Sequence, residues 1–295
     1  NILLITIIAR NRSLHTNTNI LVASLAVTDV LMGFQCVMFA KSGLKWGFRS
    51  WIAEANLNLQ VYDTFMLGVN CSLVVVSLLH VSVLAVDRYL YISWPFRYTR
   101  RVTRNRVLAT AAGMWTLGII YMLLPVALFQ ASRYQKTCIL VDVPIGYGYE
   151  PLAVGYVVCL TVVIYCTTKM IKLARDHRLG KNKKFGEGGV WKSCRENINK
   201  HEEKDRLLRK ANLKIIKFVL VVLGTFLACT FPPIAMLTLV KVLNVTLFSG
   251  SYVAIDVMHF LITANSGMNF LTITYMNKNF RKALLKIIPF CDFKC

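Results

Sequence analysis

The stretch Thr64–Val86, TFMLGVNCSLVVVSLLHVSVLAV, runs straight into Asp87-Arg88-Tyr89, and Leu90, Tyr91 and Ile92 carry the apolar pattern on beyond it. A charge-free run of that length is enough to cross a bilayer as a helix. An ionised pair at its end is expensive unless it faces a protein interior or a water-filled cleft. The stretch therefore reads as a spanning helix with a charged pair held at its inner mouth.

The rest of the chain has the same character. Of its 295 residues, 56% are hydrophobic, and the mean hydropathy is +0.52. A soluble domain seldom reaches such values. Taking apolar runs of about 20 residues as spans, the sequence holds one partial and six complete helices. The partial one covers Asn1–Ala9, and the others Asn19–Ala40, Asp63–Tyr91, Arg106–Phe129, Glu150–Leu173, Lys214–Val240 and Ser251–Tyr275. The first segment is short for a span, so an N-terminal tail and about half of that helix are expected to precede Asn1, and no signal peptide is read there. Past Tyr275, the stretch Asn277–Ile288 sets Phe280, Leu284, Leu285 and Ile288 opposite Lys278, Arg281, Lys282 and Lys286 at helical spacing. Such a helix lies on a membrane surface. The expected fold is an all-α membrane protein, with a seven-helix transmembrane bundle over residues 1–276 and a surface helix and tail over 277–295.

Charge sets the orientation. The formal net charge is +21, from 35 basic and 14 acidic residues. Nucleic-acid binding would also suit such a balance, but the basic residues fall between spans. With the loops after spans 1, 3 and 5 and the C-terminal tail placed inside, only Lys41, Lys45, Arg49, Arg133, Lys136 and Lys241 remain outside. The positive-inside rule then puts the C-terminus in the cytoplasm of a multi-pass plasma-membrane protein, and the basic loops face an anionic leaflet. Arg10–Thr18 and Pro95–Asn105 are expected as inner loops. His177–Lys204 is basic and Gly-containing and is expected to be partly disordered.

The nine cysteines form no disulfide framework. Five lie in spans, Cys194 is cytoplasmic, and Cys138 is extracellular. Cys291 and Cys295 follow the surface helix, where palmitoylation is expected. Among the Asn-X-Ser/Thr sites, Asn244 alone falls in an outer loop and is the candidate for glycosylation.

Several further motifs accompany Asp87-Arg88-Tyr89. The second span reads Leu25-Ala26-Val27-Thr28-Asp29, and an aspartate at mid-membrane needs a partner or a role. Ser77 lies eleven residues before Arg88, and the seventh span reads Asn265-Ser266-Gly267-Met268-Asn269, with two asparagines one turn apart. Together these motifs resemble the rhodopsin-like (class A) G-protein-coupled receptors, over essentially all of the chain except the third inner loop, as a divergent, orphan-like member. The resemblance implies that Asp87, Arg88 and Tyr89, with Tyr165 of the fifth span, face a heterotrimeric G protein. It implies that Asp29, Ser77, Asn265 and Asn269 surround a sodium ion, with Asn1 bracing the aspartate. One carboxylate among neutral oxygens suits a hard monovalent cation; a packing network alone is the other reading of the same residues. Trp115 matches the lone tryptophan of the family's fourth span. Phe226 and Pro232 match the sixth-span phenylalanine and hinge proline.

The departures are as specific. Where the family has Cys-Trp-x-Pro, this chain has Cys229-Thr230-Phe231-Pro232. Where it has Asn-Pro-x-x-Tyr, this chain has Asn269-Phe270-Leu271-Thr272-Ile273. The fifth-span proline is Val157, and the third-span cysteine is Asp63, which leaves Cys138 either free or paired outside the residues present. Asn212 stands where many relatives carry the acid that holds the arginine, which implies a weak clamp and raised basal activity.

Amine receptors place an aspartate eighteen residues before the arginine; here that residue is Asn70. A cationic amine would lose its buried counter-ion. Retinal is excluded because the seventh span holds no lysine and Thr263 stands at the matching place. The candidate pocket residues are Asn70, Cys71, Tyr149, Glu150, His259 and Thr263, facing an extracellular small-molecule or peptide ligand. The leading expectation is a G-protein-coupled receptor, not an enzyme, with no cofactor beyond an allosteric sodium ion and no nucleic-acid partner. The alternative is a non-signalling decoy or heteromer partner. A seven-span zinc hydrolase would need three converging ligands, but only His80 and His259 lie in spans. A transporter would show inverted repeats, and none is read.

Overall fold

A computed structural model describes residues 1–39, 59–128, 150–184, 217, 220–222, 224–236, 252–276 and 278–287. Its helices are α1 (Ile2–Arg10), α2 (Asn17–Phe39), α3 (Leu59–Ser93), α4 (Pro95–Arg101), α5 (Arg104–Leu128), α6 (Glu150–Lys184), α8 (Tyr252–Met276) and α9 (Lys278–Ile287), with an apolar helix α7 (Leu220–Met236) between α6 and α8. Among the described residues, four helices are long and apolar enough to cross a membrane, over Asn17–Cys36, Gly68–Ser93, Arg104–Leu124 and Val154–Leu173.

The burial pattern is that of a protein whose solvent is lipid. Large apolar side chains point outward, among them Leu117, Ile120 and Leu123 on α5, Val154, Val157 and Val158 on α6, and Phe260 and Leu271 on α8. The buried set includes Thr28, Asp29, Ser72, Ser77, His80, Asp87, Thr230, Asn265 and Asn269. In hydrocarbon a polar group gains only by finding a partner inside the bundle, so these residues set which helix faces meet.

α3 is the axis and packs against α2, α5 and α6. One apolar cluster joins it to α6 and α7 through Leu78, Val81, Ala85, Tyr156, Val163, Cys166 and Phe226. Another joins it to α2 and α5 through Leu21, Val107, Ala111 and Met114. A third seats α9 on α1 and α2, with Phe280 and Ala283 among Leu4, Ile7, Leu14, Val22 and Ala26. The amphipathic pattern read after Tyr275 is thus a real helix over Lys278–Ile287, with Phe280, Ala283 and Leu284 packed against protein.

Two inner segments differ from their reading as loops. Pro95–Arg101 is a helix with proline in its first turn, where the missing N–H costs nothing and the fixed φ is already helical. α6 runs on to Lys184, well past Leu173, because Lys, Arg and Leu are good helix formers. Residues 185–204 lie outside the described residues.

α3 and α5 meet most closely at Gly118. Its carbonyl accepts a bond from Ser72 Oγ at 2.8 Å, and a methyl group added there would collide with Val76 and crowd Ser72. Gly118→Ala is expected to cost about 1–3 kcal/mol, the usual range for overpacking. The check is the thermal midpoint of the purified protein in lipid nanodiscs, which should fall by several degrees while Gly113→Ala, with open space around it, leaves it unchanged.

Candidate functional site

At the inner end of α3 the Asp87 carboxylate takes three partners. Arg88 Nη2 lies 3.3 Å from Oδ2, Thr18 Oγ1 donates to Oδ2 at 2.8 Å, and Tyr98 Oη donates to Oδ1 at 2.7 Å. Aspartate is only 6% exposed and arginine 18%. Burial, and then the carboxylate that accepts its bond, push the Tyr98 phenol up to about 12, so it remains a donor at neutral pH. Tyr98 sits on α4, and its bond explains why that short helix folds back against α3. Arg88 also lies over the Tyr91 ring at 6.0 Å. Tyr89 meets Trp94 and Tyr165 edge-on, at 5.6 and 6.4 Å, and the half-exposed Tyr165 ring carries Lys169 at 5.5 Å.

The sequence reading passed over Phe96, which is 92% exposed next to Arg97 and one turn from Arg100. The signal was present as Trp94-Pro95-Phe96, an aromatic pair around a helix-starting proline. Only the fold shows that the ring is left bare.

Deeper in the bundle, Asn269 Nδ2 donates to Asp29 Oδ2 at 3.1 Å, and Asn1 Nδ2 donates to the Ser266 carbonyl at 2.8 Å. α1, α2 and α8 are thereby joined around one carboxylate. Four buried oxygens here have no hydrogen-bond partner: Asn1 Oδ1, Asp29 Oδ1, Ser77 Oγ and Asn265 Oδ1. They are the residues singled out from the sequence as an ion site. Buried polar atoms left unpaired are costly, and oxygen atoms of this kind are what a hard monovalent cation and its water would use.

A second polar knot was not legible. Trp115 Nε1 on α5 donates to Ser24 Oγ on α2 at 3.0 Å. Ser24 Oγ also lies 2.8 Å from His80 Nε2 on α3, and His80 Nδ1 lies 2.8 Å from the Val76 carbonyl. A carbonyl only accepts, so Nδ1 carries the proton. Nε2 of the neutral ring then accepts the Ser24 hydroxyl proton. One serine closes a directed chain across three helices. Trp115 is therefore turned into the bundle rather than out to the interface.

The outer residues are partly described. Asn70 Nδ2 donates to Gln35 Oε1 at 3.2 Å, and Thr263 Oγ1 reaches Cys36 Sγ at 3.7 Å. Cys71 is buried beside Asn70. Glu150 and His259 lie in α6 and α8, their side chains outside the described residues, as are Tyr149, Asn244, Cys291 and Cys295 entirely. Phe226 and Thr230 are buried and Pro232 is exposed on α7. Phe270, in the family's proline position, meets Phe280 of α9 edge-on at 6.4 Å. Cys36, Cys71, Cys159, Cys166 and Cys229 are free thiols.

An inside-polar, outside-apolar helical bundle with a charged pair at one mouth is a multi-pass membrane receptor architecture. Residues 1–270 match the 7 transmembrane receptor (rhodopsin family), and the chain belongs to that family of receptors. It is similar to the histamine H2 receptor of Canis lupus familiaris, 24% identical over all of this chain and 75% of that protein. It is 26% identical to the D(1B) dopamine receptor of Xenopus laevis over 79% of this chain and 52% of that one. It is also 22% identical to the human 5-hydroxytryptamine receptor 1D over 98% and 84%. The chain is accordingly a plasma-membrane protein of a family that signals through G proteins.

Ser24→Ala should leave the Trp115 N–H and the His80 acceptor unpaired, at about 1–3 kcal/mol for the pair. A drop in thermal midpoint larger than that of Ser13→Ala, at an exposed position, is the expected result.

Proposed function

We propose that this receptor couples an extracellular ligand to heterotrimeric G proteins through Asp87, Arg88 and Tyr89, with its C-terminus in the cytoplasm. The observation that carries the reading is the inner end of α3. Its aspartate is held by Thr18 and Tyr98, and its arginine is bound to that aspartate alone among acidic groups of the described residues. A ligand that binds one state of the bundle better shifts the population toward it, and outward movement of α7 about Pro232 then frees the arginine for a G protein. Phe96 is the apolar anchor beside it. An exposed aromatic rimmed by arginines is the composition of an interface hot spot.

The ligand is not a simple cationic amine, although the relatives are named for amines. Asn70 stands where an aspartate would pair with the ammonium, and its amide is engaged by another neutral amide, Gln35. A neutral, hydrogen-bonding small molecule or a peptide suits that chemistry. Asn1, Asp29, Ser77, Asn265 and Asn269 would hold a sodium ion, which supplies charge to the buried carboxylate and favours the inactive packing. The four unpartnered oxygens support this. A second reading, a non-signalling decoy or heteromer partner, is favoured by Thr230, Phe270 and Ile273 at positions where the family's activation residues stand.

Basal nucleotide exchange across a panel of G proteins, in membranes with equal surface expression, tests the main reading. Exchange above background that is lost in Arg88→Ala and raised several-fold in Tyr98→Phe is expected. Exchange absent from all three, with and without a ligand library, would favour the decoy.

The ion is checked separately. Replacing choline by sodium should raise the thermal midpoint of the parent protein and leave Asp29→Asn unmoved.

A further inference from the structure

α7 has a weak point built into it. Pro232 and Pro233 have no amide N–H, so neither can bond the carbonyl one turn earlier, that of Ala228 or of Cys229. Next to that gap, Thr230 Oγ1 donates to the Phe226 carbonyl at 2.7 Å, and back-bonding of this kind bends helices. Three places in the ladder, the carbonyls of Phe226, Ala228 and Cys229, are thus loosened within residues 226–233.

α6 inserts a side chain at that place. Its inward stripe is Tyr156, Val163, Cys166 and Met170, all buried, while Val157 beside the tyrosine is 60% exposed. The Tyr156 ring stacks on Phe226, with centroids 6.5 Å apart and planes 24° from parallel. Its hydroxyl lies 3.4 Å from Thr230 Oγ1. Thr230 has one proton and gives it to Phe226, so the tyrosine must be the donor in this second bond. Phe226 and Thr230 are thus held by one residue of another helix, through its ring and through its hydroxyl. The small Thr230 side chain, where a tryptophan would fill the space, leaves room for a ring arriving from α6. The exposed Val157 and the buried Tyr156 belong to the same adjustment of that helix.

We infer that Tyr156 is the positioning residue that holds α7 in its packed arrangement, and that movement of α7 about Pro232 begins with the breaking of the Tyr156–Thr230 hydrogen bond. The inference rests on the reading of the chain as a signalling receptor. Removing the hydroxyl from either side should release α7, because both changes break the one bond between the two helices.

The test uses the full chain in lipid nanodiscs, with an environment-sensitive fluorescent side chain at the exposed Lys217 near the inner end of α7. Tyr156→Phe keeps the ring and its stacking; Thr230→Val keeps the volume. Each is expected to raise the outward population of α7 by about two- to ten-fold, the range for loss of one neutral hydrogen bond. The double variant should rise no further than the larger single one. Thr230→Ser, which keeps the hydroxyl and guards against a general packing effect, should behave as the parent. A fluorescence signal unchanged in both singles, or a double variant equal to their product, overturns the inference. So does a Thr230→Ser that shifts as Thr230→Val does. Basal exchange measured on the same samples separates the two readings. Arg88-dependent exchange with no α7 response sinks this inference alone. A non-additive α7 response with no exchange on any G protein leaves it standing and sinks the coupling function.

Discussion

The arrangement of the bundle depends on where α3 finds partners for its polar side chains. A membrane supplies no water to pair them, so each must meet a group on a neighbouring helix at one depth and one rotation. Ser24 does this for three helices at once. Its hydroxyl accepts from Trp115 and donates to His80, and the His80 ring closes on its own backbone. Ser72 and the Gly118 carbonyl repeat the lock between α3 and α5 higher in the bundle. With α2, α3 and α5 fixed in this way, the faces left over on α3 receive α6 and α7 through an apolar cluster. Hydrogen bonds at fixed geometry make one side of the molecule specific, while apolar contacts leave the other able to slide.

That asymmetry fits the proposed activity. The polar core around Asp29 ties α8 to α2, and Asp87 ties α3 to α2 and α4. By contrast, among the described residues α7 meets α6 through an apolar cluster that holds a stacked aromatic pair and one long hydrogen bond. Such a contact is weak enough to be broken by a ligand's differential affinity, which supplies at most a few kcal/mol. In the proposed activity α7 is the helix that moves. Its proline supplies the place to bend.

Much of the molecule was legible before any coordinates. Uninterrupted apolar runs mark the spans, four of which are membrane-length helices among the described residues. The Asp29 and Asn265–Asn269 segments declared themselves because a carboxylate and paired amides in hydrocarbon are too costly to be incidental. The amphipathic stretch after Tyr275 was legible from spacing alone. By contrast, the α4 helix was missed because Pro95–Arg101 is only seven residues long, and its stability comes from Tyr98 reaching Asp87, a contact with no periodic signature. The extension of α6 was missed because the sequence past Leu173 is polar and lacks an apolar stripe.

What the sequence determined by itself is therefore the class of fold, since hydrophobic length acts locally along the chain. What only the tertiary structure decided is which polar groups pair. His80 and Trp115 lie 56 and 91 residues from Ser24 in the chain, and nothing in their neighbours says that they share its hydroxyl. The same is true of Tyr156, whose alternative is the lipid-facing place taken by Val157. A rotation of α6 by one residue would exchange them. That rotation is set by close packing against α3 and α7, a property of the assembled bundle that no single segment carries.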